Sequence, residues 1–212
     1  FVEFRKKNTS FDINNFKKSA KLISHRGPDQ NLSLHSENIS MEFFRLSIRD
    51  LSDNGSQPMM DYSKRYIIVF NGEIYNTSEL KKKINAKILK GNSDTEILIN
   101  LYAKYRSKML GFIDGMFSFV IYDKIEKTCF IARDRFGIKP LYYQKLKNKM
   151  IISSEIKPLI NYTKNNNFNN KAFRDFFLKG YLDHDEHTFI KNIYSLKPGN
   201  FIKTNLKNYD YK

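Results

Sequence analysis

The sequence predicts an α+β fold in which antiparallel strand pairs pack in layers with a small number of helices. Short β-type runs occur in pairs around polar turns, as at residues 116–123 and 128–133, a pattern typical of hairpins. Few helical stretches lie between the runs, whereas parallel strands need a crossover, usually a helix, between them. The nine glycines form neither a G-x-G-x-x-G nor a G-x-x-x-x-G-K loop, which disfavours a nucleotide-binding parallel sheet.

The strands are predicted from short apolar runs bounded by turn residues. Residues 66–70 are five β-forming residues in a row, and Asn71-Gly72 directly after them predicts a turn where this strand ends. The predicted strands are residues 1–4, 32–35, 39–44, 66–70, 116–123, 128–133, 141–144 and 150–153, with a last strand after a turn at Pro198-Gly199.

The helices are predicted from apolar residues spaced three and four apart. The clearest covers residues 95–105, with Ser93 or Asp94 as its N-cap. Other helices are predicted at residues 10–23 with Ser10 as N-cap, at 78–84 with Thr77 or Ser78 as N-cap, at 154–159 and at 171–179. Residues 161–170 are rich in Asn and Lys and are predicted to be an exposed loop.

The composition is that of a folded, basic chain, with 41% hydrophobic residues and a formal net charge of +15. Such a charge can bind nucleic acid. However, the lysines are scattered and no stacking-aromatic motif of a known RNA-binding type is present, so a solvated lysine-rich surface is preferred and no nucleic-acid partner is expected. The longest apolar runs have strand length, which predicts no membrane span. The single cysteine, Cys129, suits a reducing cytoplasm, and no metal site is expected because no Cys/His cluster has zinc spacing.

Candidate site residues lie around residues 66–76. A free amino acid with a side-chain amide has three polar ends: its carboxylate matches a guanidinium, its ammonium matches carboxylates, and a carbonyl under attack needs neutral donors. Arg45, the Asn71 side chain with the Gly72 N–H, and Glu73 with Asp94 offer candidates for these three ends. Each also has an ordinary interpretation as a surface residue, a hairpin turn or a helix cap, and spacing alone does not bring them together.

A series of ordered motifs resembles the glutaminase domain of glutamine-hydrolysing asparagine synthetases. The best marked are Asn71-Gly72-Glu73-Ile74-Tyr75-Asn76 and the long run at residues 133–143. The full set, in the order of that family and over nearly the whole chain, is residues 25–29, 45–48, 57–59, 71–76, 93–96, 115–119, 133–143, 153–157 and 196–199.

This resemblance implies an N-terminal-nucleophile hydrolase fold, a four-layer αββα sandwich of two antiparallel sheets between helical layers. It also implies a role for each candidate residue. Asn71 and Gly72 would form the oxyanion hole. L-glutamine would be held by Arg45, Leu46, Ser47, Ile48, Arg49, Asn71, Gly72, Glu73 and Asp94, with residues 46–49 contributing backbone.

The resemblance also implies a nucleophile that this sequence does not contain. Members of the family begin Met-Cys-Gly-Ile, lose the Met, and use the new terminal cysteine as nucleophile and its α-amine as base. Phe1 stands where about the fifth residue of the family would fall. The first interpretation is a fragment of a longer chain, and the second is a pseudo-glutaminase that binds glutamine or supports a partner domain. Cys129 lies in a β-type run and is expected to be a small core residue.

The resemblance implies a parent enzyme in which the ammonia released from glutamine reaches a C-terminal synthetase domain in cis. ATP and Mg²⁺ would bind that domain, and no cofactor is expected in residues 1–202, the glutaminase domain. Residues 203–212 would begin the connection to the C-terminal synthetase domain. Asparagine is the expected product, whereas relatives acting on other acids or on surface sugars, and a non-catalytic module, are the alternatives. A homodimer is compatible with the sequence.

Overall fold

The computed structural model describes residues 1–48, 50–205 and 210–211 of the chain. Its strands form two antiparallel sheets of six strands each. In chain order they are β1 (Val2–Arg5), β2 (Gln30–His35), β3 (Ile39–Arg45), β4 (Met59–Met60), β5 (Tyr66–Ile74), β6 (Gly115–Asp123), β7 (Thr128–Arg133), β8 (Tyr142–Leu146), β9 (Lys149–Ser153), β10 (Tyr194–Ser195), β11 (Phe201–Asn205) and β12 (Asp210–Tyr211).

Five α-helices accompany the strands in the described part of the chain, with short 3-10 turns between some of them. They are α1 (Ile13–Ala20), α2 (Thr77–Lys83), α3 (Asp94–Tyr105), α4 (Ile156–Thr163) and α5 (Asn170–Lys179). Within the described residues, no helix combines the length and the apolar character that crossing a membrane would need.

Two predicted helix caps are wrong. Helix α1 begins later than residue 10, because Asp12 is its N-cap and accepts a 3.0 Å hydrogen bond from the N–H of Asn15. A carboxylate cap of this kind satisfies one of the free N–H groups of the first turn. Helix α2 has Asn76 at its N-cap position instead of Thr77 or Ser78. The prediction for α3 is confirmed, since the Ser93 side chain accepts from the N–H of Thr95.

The first sheet has the strand order β10-β8-β9-β1-β3-β2, with β1 between β9 and β3. Val2 pairs with Met41 of β3 on one side and with Ile152 of β9 on the other. The backbones of Phe1 and Glu42 exchange two hydrogen bonds of 2.8 Å, so Phe1 continues the antiparallel ladder with β3.

The second sheet has the order β12-β11-β7-β6-β5-β4. Its longest ladder joins β5 to β6, from Tyr66 opposite Asp123 to Ile74 opposite Gly115. The prediction that β5 ends at residue 70 is therefore wrong, because the strand continues through Asn71-Gly72. Strand β11 pairs with β7 through Asn205 and so runs past the expected domain boundary at residue 202.

Three apolar clusters separate four layers. One lies between the two sheets, one between the second sheet and helices α2 and α3, and one between the first sheet and helices α1 and α4. The expected αββα sandwich is confirmed. Representative members are Val2, Met41, Val69 and Ile131 between the sheets, Ile68, Leu80 and Leu98 under the second sheet, and Phe16, Ile151 and Leu159 over the first.

Candidate functional site

A cavity of about 330 Å³ opens at one end of the inter-sheet core. Phe1, Val2 and Ile152 line it from the first sheet, and Val69 and Val120 line it from the second. The start of α3 and the loop after β3 complete the wall. Small-molecule sites usually have volumes of about 300–1,000 Å³, so this cavity has room for a ligand the size of an amino acid.

The alternation of β5 directs Asn71 and Glu73 toward the cavity. Ile67 and Val69 lie in the inter-sheet cluster, whereas Ile68 lies under the helices on the opposite face of the strand. Successive side chains of a strand point to opposite faces. Asn71 and Glu73 therefore share the inter-sheet face, and both line the cavity just beyond the apolar core.

The backbone N–H of Gly72 faces the open edge of the second sheet. Gly72 is paired with Phe117 of β6, whose N–H donates to the Asp134 carboxylate and whose carbonyl accepts from the Asp134 N–H. Both polar backbone groups of Phe117 therefore point away from β5. In an antiparallel ladder such a pair is not hydrogen-bonded, so the Gly72 N–H points away from β6, and Gly72 lines the cavity.

The lack of a side chain at Gly72 allows β5 to pair closely with β6. A Cβ at this position would overlap the Met116 carbonyl oxygen and lie 2.8 Å from Phe117 Cα. Only a glycine permits β5 and β6 to approach this closely. Asn-Gly is a common turn pair, but here the missing side chain serves strand pairing.

The side-chain nitrogen of Asn71 is a buried donor that lacks a partner. Asn71 Nδ2 makes no hydrogen bond within residues 1–48, 50–205 and 210–211. Most buried polar atoms in folded proteins are paired, so an exception calls for a functional explanation. The Asn71 side chain and the Gly72 N–H are consecutive neutral donors on the same cavity wall, the arrangement that a developing oxyanion needs.

Asp94 joins the cavity from the start of α3. It is only 7% exposed, and its Oδ2 accepts a 3.1 Å hydrogen bond from the N–H of Ile74. Its side chain thus links α3 to the end of β5, close to Glu73. Glu73 and Asp94 both line the cavity, so the structure brings together the two carboxylates that the sequence singled out.

Arg45 lies on the opposite wall, as the last residue of β3. Its guanidinium donates to the carbonyl oxygens of Ser52 at 3.0 Å and of Asp50, and to Gln30 Oε1 at 3.4 Å. These three acceptors are neutral oxygens that orient the guanidinium, and the nearby Asp50 carboxylate also interacts with its charge. Hydrogen bonds from the Ser52 hydroxyl and the Asn92 N–H hold the pKa of the nearby Asp50 carboxyl below its ordinary value.

The loop after Arg45 contributes apolar surface. Leu46 and Ile48 line the cavity although both are largely exposed. Ser47 is not among the described lining residues, and its N–H donates to Asp29 Oδ2 at 2.7 Å. Arg49, the remaining predicted ligand of this loop, lies outside the described residues.

The loop after β7 forms a further wall of the cavity, and the sequence predicted no site residue in this loop. Asp134 is buried and accepts hydrogen bonds from the N–H groups of Phe117, Phe136, Ile138 and Lys139. Burial raises the pKa of this carboxyl, but these backbone donors outweigh burial and the net pKa is lowered. The turn places Lys139 and Pro140 on the cavity wall. The sequence feature that could have indicated this wall is the long motif at residues 133–143.

An ion cluster stands at the rim of the cavity. Glu155 lies 2.9 Å from His25 Nε2, 3.0 Å from Lys157 Nζ and 3.3 Å from Arg26 Nη1. Burial raises the Glu155 pKa, while its hydrogen bonds with Lys157, Arg26 and His25 lower it and decide the net direction. Arg26 lines the cavity, so its ion pair with Glu155 holds one guanidinium at the cavity wall.

Cys129 lies in the inter-sheet core, away from the cavity wall. Its thiol is free and fully buried, and burial raises its pKa well above the ordinary value. A thiol with a raised pKa is a poor nucleophile, so Cys129 is a core residue, as the sequence indicated. The described residues contain no group of three or more His, Cys, Asp or Glu side chains arranged to hold a metal ion.

Comparison with known proteins identifies a family over the whole chain. The family described as "Glutamine amidotransferase domain" matches residues 1–212. The chain is 40% identical over 201 residues to "Asparagine synthetase [glutamine-hydrolyzing] 2" of Bacillus subtilis (strain 168), covering 91% of the chain and 26% of that protein. It is 35% identical over 187 residues to "Amidase chry2" of Gibberella zeae, covering 87% of the chain and 27% of that protein.

A solved structure supports the fold. The glutamine phosphoribosylpyrophosphate amidotransferase of B. subtilis, complexed with ADP and GMP, superposes with a TM-score of 0.70 over 100% of this chain and 48% of that one, at 13% identity. The expected N-terminal-nucleophile hydrolase fold is thereby confirmed. The chain spans about a quarter of the length of the curated relatives named above.

Proposed function

The chain belongs to the glutamine amidotransferase domain family, and on that premise we propose that its cavity binds L-glutamine and is the glutaminase site of a longer amidotransferase. The observation that carries this proposal is the unpartnered, buried Asn71 Nδ2 beside the Gly72 N–H. Two adjacent neutral donors on a cavity wall suit the oxygen of an amide under nucleophilic attack. Glutamine supplies such an amide at the end of its side chain.

The other walls match the remaining parts of glutamine. The Arg45 guanidinium would bind the α-carboxylate, since an arginine can bind a carboxylate with two hydrogen bonds. Glu73 and Asp94 would face the α-ammonium from across the cavity. Leu46 and Ile48 would cover the methylene groups of the ligand. By the family resemblance, the backbone of Ser47 and Arg49 would also contribute to the site.

The register of β1 indicates where a nucleophile would lie in a longer chain. Phe1 pairs with Glu42, so the third residue before Phe1 would stand opposite Arg45 if the strand continued. Val2 and Phe4 face the inter-sheet core, and by alternation the third residue before Phe1 shares that face. A Cys-Gly-Ile sequence before Phe1 would therefore place its cysteine on the inter-sheet face of the first sheet, which faces the sheet that carries Asn71.

The proposed reaction needs no metal in this domain. The cysteine sulfur attacks Cδ of the glutamine side chain while its own α-amine takes the thiol proton. The tetrahedral oxyanion is held by Asn71 and Gly72, each donor contributing about 3–4 kcal/mol in comparable sites. The C–N bond breaks, the amine returns the proton and ammonia leaves. Water then hydrolyses the glutamyl thioester to glutamate and regenerates the thiol.

For the parent protein we propose an asparagine synthetase. Several relatives carry that name. In such a protein the ammonia would reach a synthetase domain in cis that uses ATP and Mg²⁺ to activate aspartate. Because another part of the parent selects the acceptor, amidation of other acids or of sugars is the alternative. A homodimer and a cytoplasmic location complete the proposal, and the single cysteine suits that compartment.

Two measurements test the glutaminase proposal. Isothermal calorimetry of L-glutamine on the 212-residue chain should show binding that Arg45→Ala removes. Arg65→Ala is the matched control, because Arg65 makes a bidentate ion pair with Asp123 and neither residue lines the cavity. The chain preceded by Met-Cys-Gly-Ile should, after removal of the Met, release ammonia and glutamate from glutamine.

The results separate the alternatives. Binding without hydrolysis in the cysteine-bearing chain would favour a glutamine-binding module. If Arg45→Ala and Arg65→Ala had the same affinity for glutamine as the unmodified chain, Arg45 would be a structural residue and the assignment of this cavity would be wrong.

A further inference from the structure

A buried glutamine, Gln57, lines the cavity next to the proposed oxyanion residues Asn71 and Gly72. It is only 5% exposed and lies in the loop before β4. Its Oε1 accepts a 2.6 Å hydrogen bond from the N–H of Phe70, and its Nε2 donates a 3.1 Å hydrogen bond to Thr95 Oγ1. The side chain thus connects the middle of β5 to the first turn of α3.

The Gln57 side chain accepts a hydrogen bond at the edge of β5 where a neighbouring strand would otherwise pair. Strand β4 pairs with β5 only at Met59 opposite Ile68 and Met60 opposite Ile67. Beyond Ile68 the N–H groups of Phe70, Gly72 and Ile74 face the same open edge, because alternate residues of a strand share one hydrogen-bonding direction. In this part of β5, side chains instead of a neighbouring strand accept the hydrogen bonds of the Phe70 and Ile74 N–H groups.

The two hydrogen-bonded residues, Phe70 and Ile74, lie on either side of Gly72 in β5. Phe70 donates to Gln57 and Ile74 donates to Asp94. Both clamps are anchored at the beginning of α3, since Gln57 bonds Thr95 and Asp94 is the first residue of that helix. The Gly72 N–H, on the cavity wall between them, is therefore oriented from both sides.

We propose that Gln57 is a positioning residue that fixes the Gly72 N–H for the oxyanion of the glutamine reaction. This inference rests on the proposed function. An oxyanion donor acts only if it is held close to the productive geometry, and a displacement of about 1 Å can lower a rate about a hundredfold. Gln57 does not need to touch glutamine, because it acts through the backbone of β5.

The test uses Gln57→Met, which keeps the length of the side chain but removes its acceptor and its donor. The matched control is Asn100→Leu. Asn100 is also 5% exposed, its Oδ1 accepts from the N–H of Tyr62 and its Nδ2 donates to the carbonyl of Glu96. It ties α3 to the loop before β5 but, unlike Gln57 and Thr95, does not line the cavity. Both substitutions therefore remove one buried amide with two hydrogen bonds.

In the cysteine-bearing chain, Gln57→Met should lower kcat for glutamine hydrolysis about tenfold with KM changed less than about twofold. Asn100→Leu should leave both constants unchanged. In the 212-residue chain, amide hydrogen exchange at Phe70 and Gly72 should become faster in Gln57→Met and not in Asn100→Leu. Thr95→Val, which removes only the far anchor, should shift both readouts in the same direction by a smaller factor.

The outcomes keep the two proposals apart. If the unmodified cysteine-bearing chain hydrolyses glutamine and Gln57→Met has the same kcat, Gln57 has no positioning role. If that chain does not hydrolyse glutamine, the proposed function fails, and unchanged exchange at Gly72 in Gln57→Met would overturn the positioning role as well. Should Gln57→Met not fold, Thr95→Val decides the question by the same two readouts.

Discussion

Asp94 Oδ2 accepts a hydrogen bond from the N–H of Ile74 at 3.1 Å, which ties the first turn of α3 to the last residue of β5. The same carboxylate lines the cavity. One side chain therefore has two uses, a structural one that needs an acceptor atom and a binding one that needs negative charge. Substitutions can separate these uses.

Asp94→Asn retains an amide oxygen for Ile74 but loses the charge, whereas Asp94→Ala loses both. We expect Asp94→Asn to weaken glutamine binding about tenfold to a hundredfold, because a hydrogen bond between charged groups contributes about 1.5–3 kcal/mol, while its melting temperature stays close to that of the unmodified chain. Asp94→Ala should lose binding and melt lower. Calorimetry and thermal unfolding measure the two effects, and equal glutamine affinity in Asp94→Asn and the unmodified chain would exclude a role for this charge.

Substitution of Asn71 should change the activity and the stability of the chain independently. Its Nδ2 is buried and makes no hydrogen bond within the described part of the chain, so replacing it with an apolar group of similar shape removes an unsatisfied donor. We expect Asn71→Leu to melt at or above the temperature of the unmodified chain, since an unpaired buried polar group costs about 1–3 kcal/mol. In the cysteine-bearing chain the same change should lower kcat about a hundredfold or more. A marked loss of stability would mean that Asn71 is a structural residue.

Gly72 is predicted to be intolerant of any side chain. In Gly72→Ala the added Cβ would overlap the Met116 carbonyl and lie 2.8 Å from Phe117 Cα, so β5 and β6 must move apart. We expect a loss of about 1–3 kcal/mol in the free energy of unfolding, the range of overpacked core sites. Gly111→Ala is the control, because a Cβ there meets no atom within 4 Å. Urea unfolding should show a large difference between the two, and similar midpoints would refute the close approach.

The layered fold was readable from the sequence because its signals are local. Short apolar runs bounded by turn residues identified most strands, and apolar spacing identified α3 with its Ser93 cap. The end of β5 was not readable in this way. Asn71-Gly72 has the local chemistry of a turn, and only the partner strand, with Phe117 opposite Gly72, keeps the chain extended.

The site was predictable in part for the same reason. Residue types suggested which side chains match each end of glutamine, but not the contacts that orient them. Gln57 acts through Phe70, and Arg45 is oriented by carbonyl groups of the loop that follows it. These are tertiary contacts between residues whose local sequence carries no sign of them. The ordered motifs included Gln57 but gave it no role.

The amino group of Phe1 should make the stability of the 212-residue chain depend on pH. Burial lowers its pKa from 8.0 to about 5, against the opposing effect of Glu42. Burial also lowers the pKa of His35. Between pH 8 and pH 5 the unfolded chain binds more protons at these groups than the folded chain does, so the free energy of unfolding should fall as the pH falls. The chain preceded by Met-Cys-Gly-Ile keeps His35 but has a peptide bond at Phe1. Its stability should therefore fall less over the same range in urea titrations, and equal slopes in the two chains would show that the Phe1 amine is not buried.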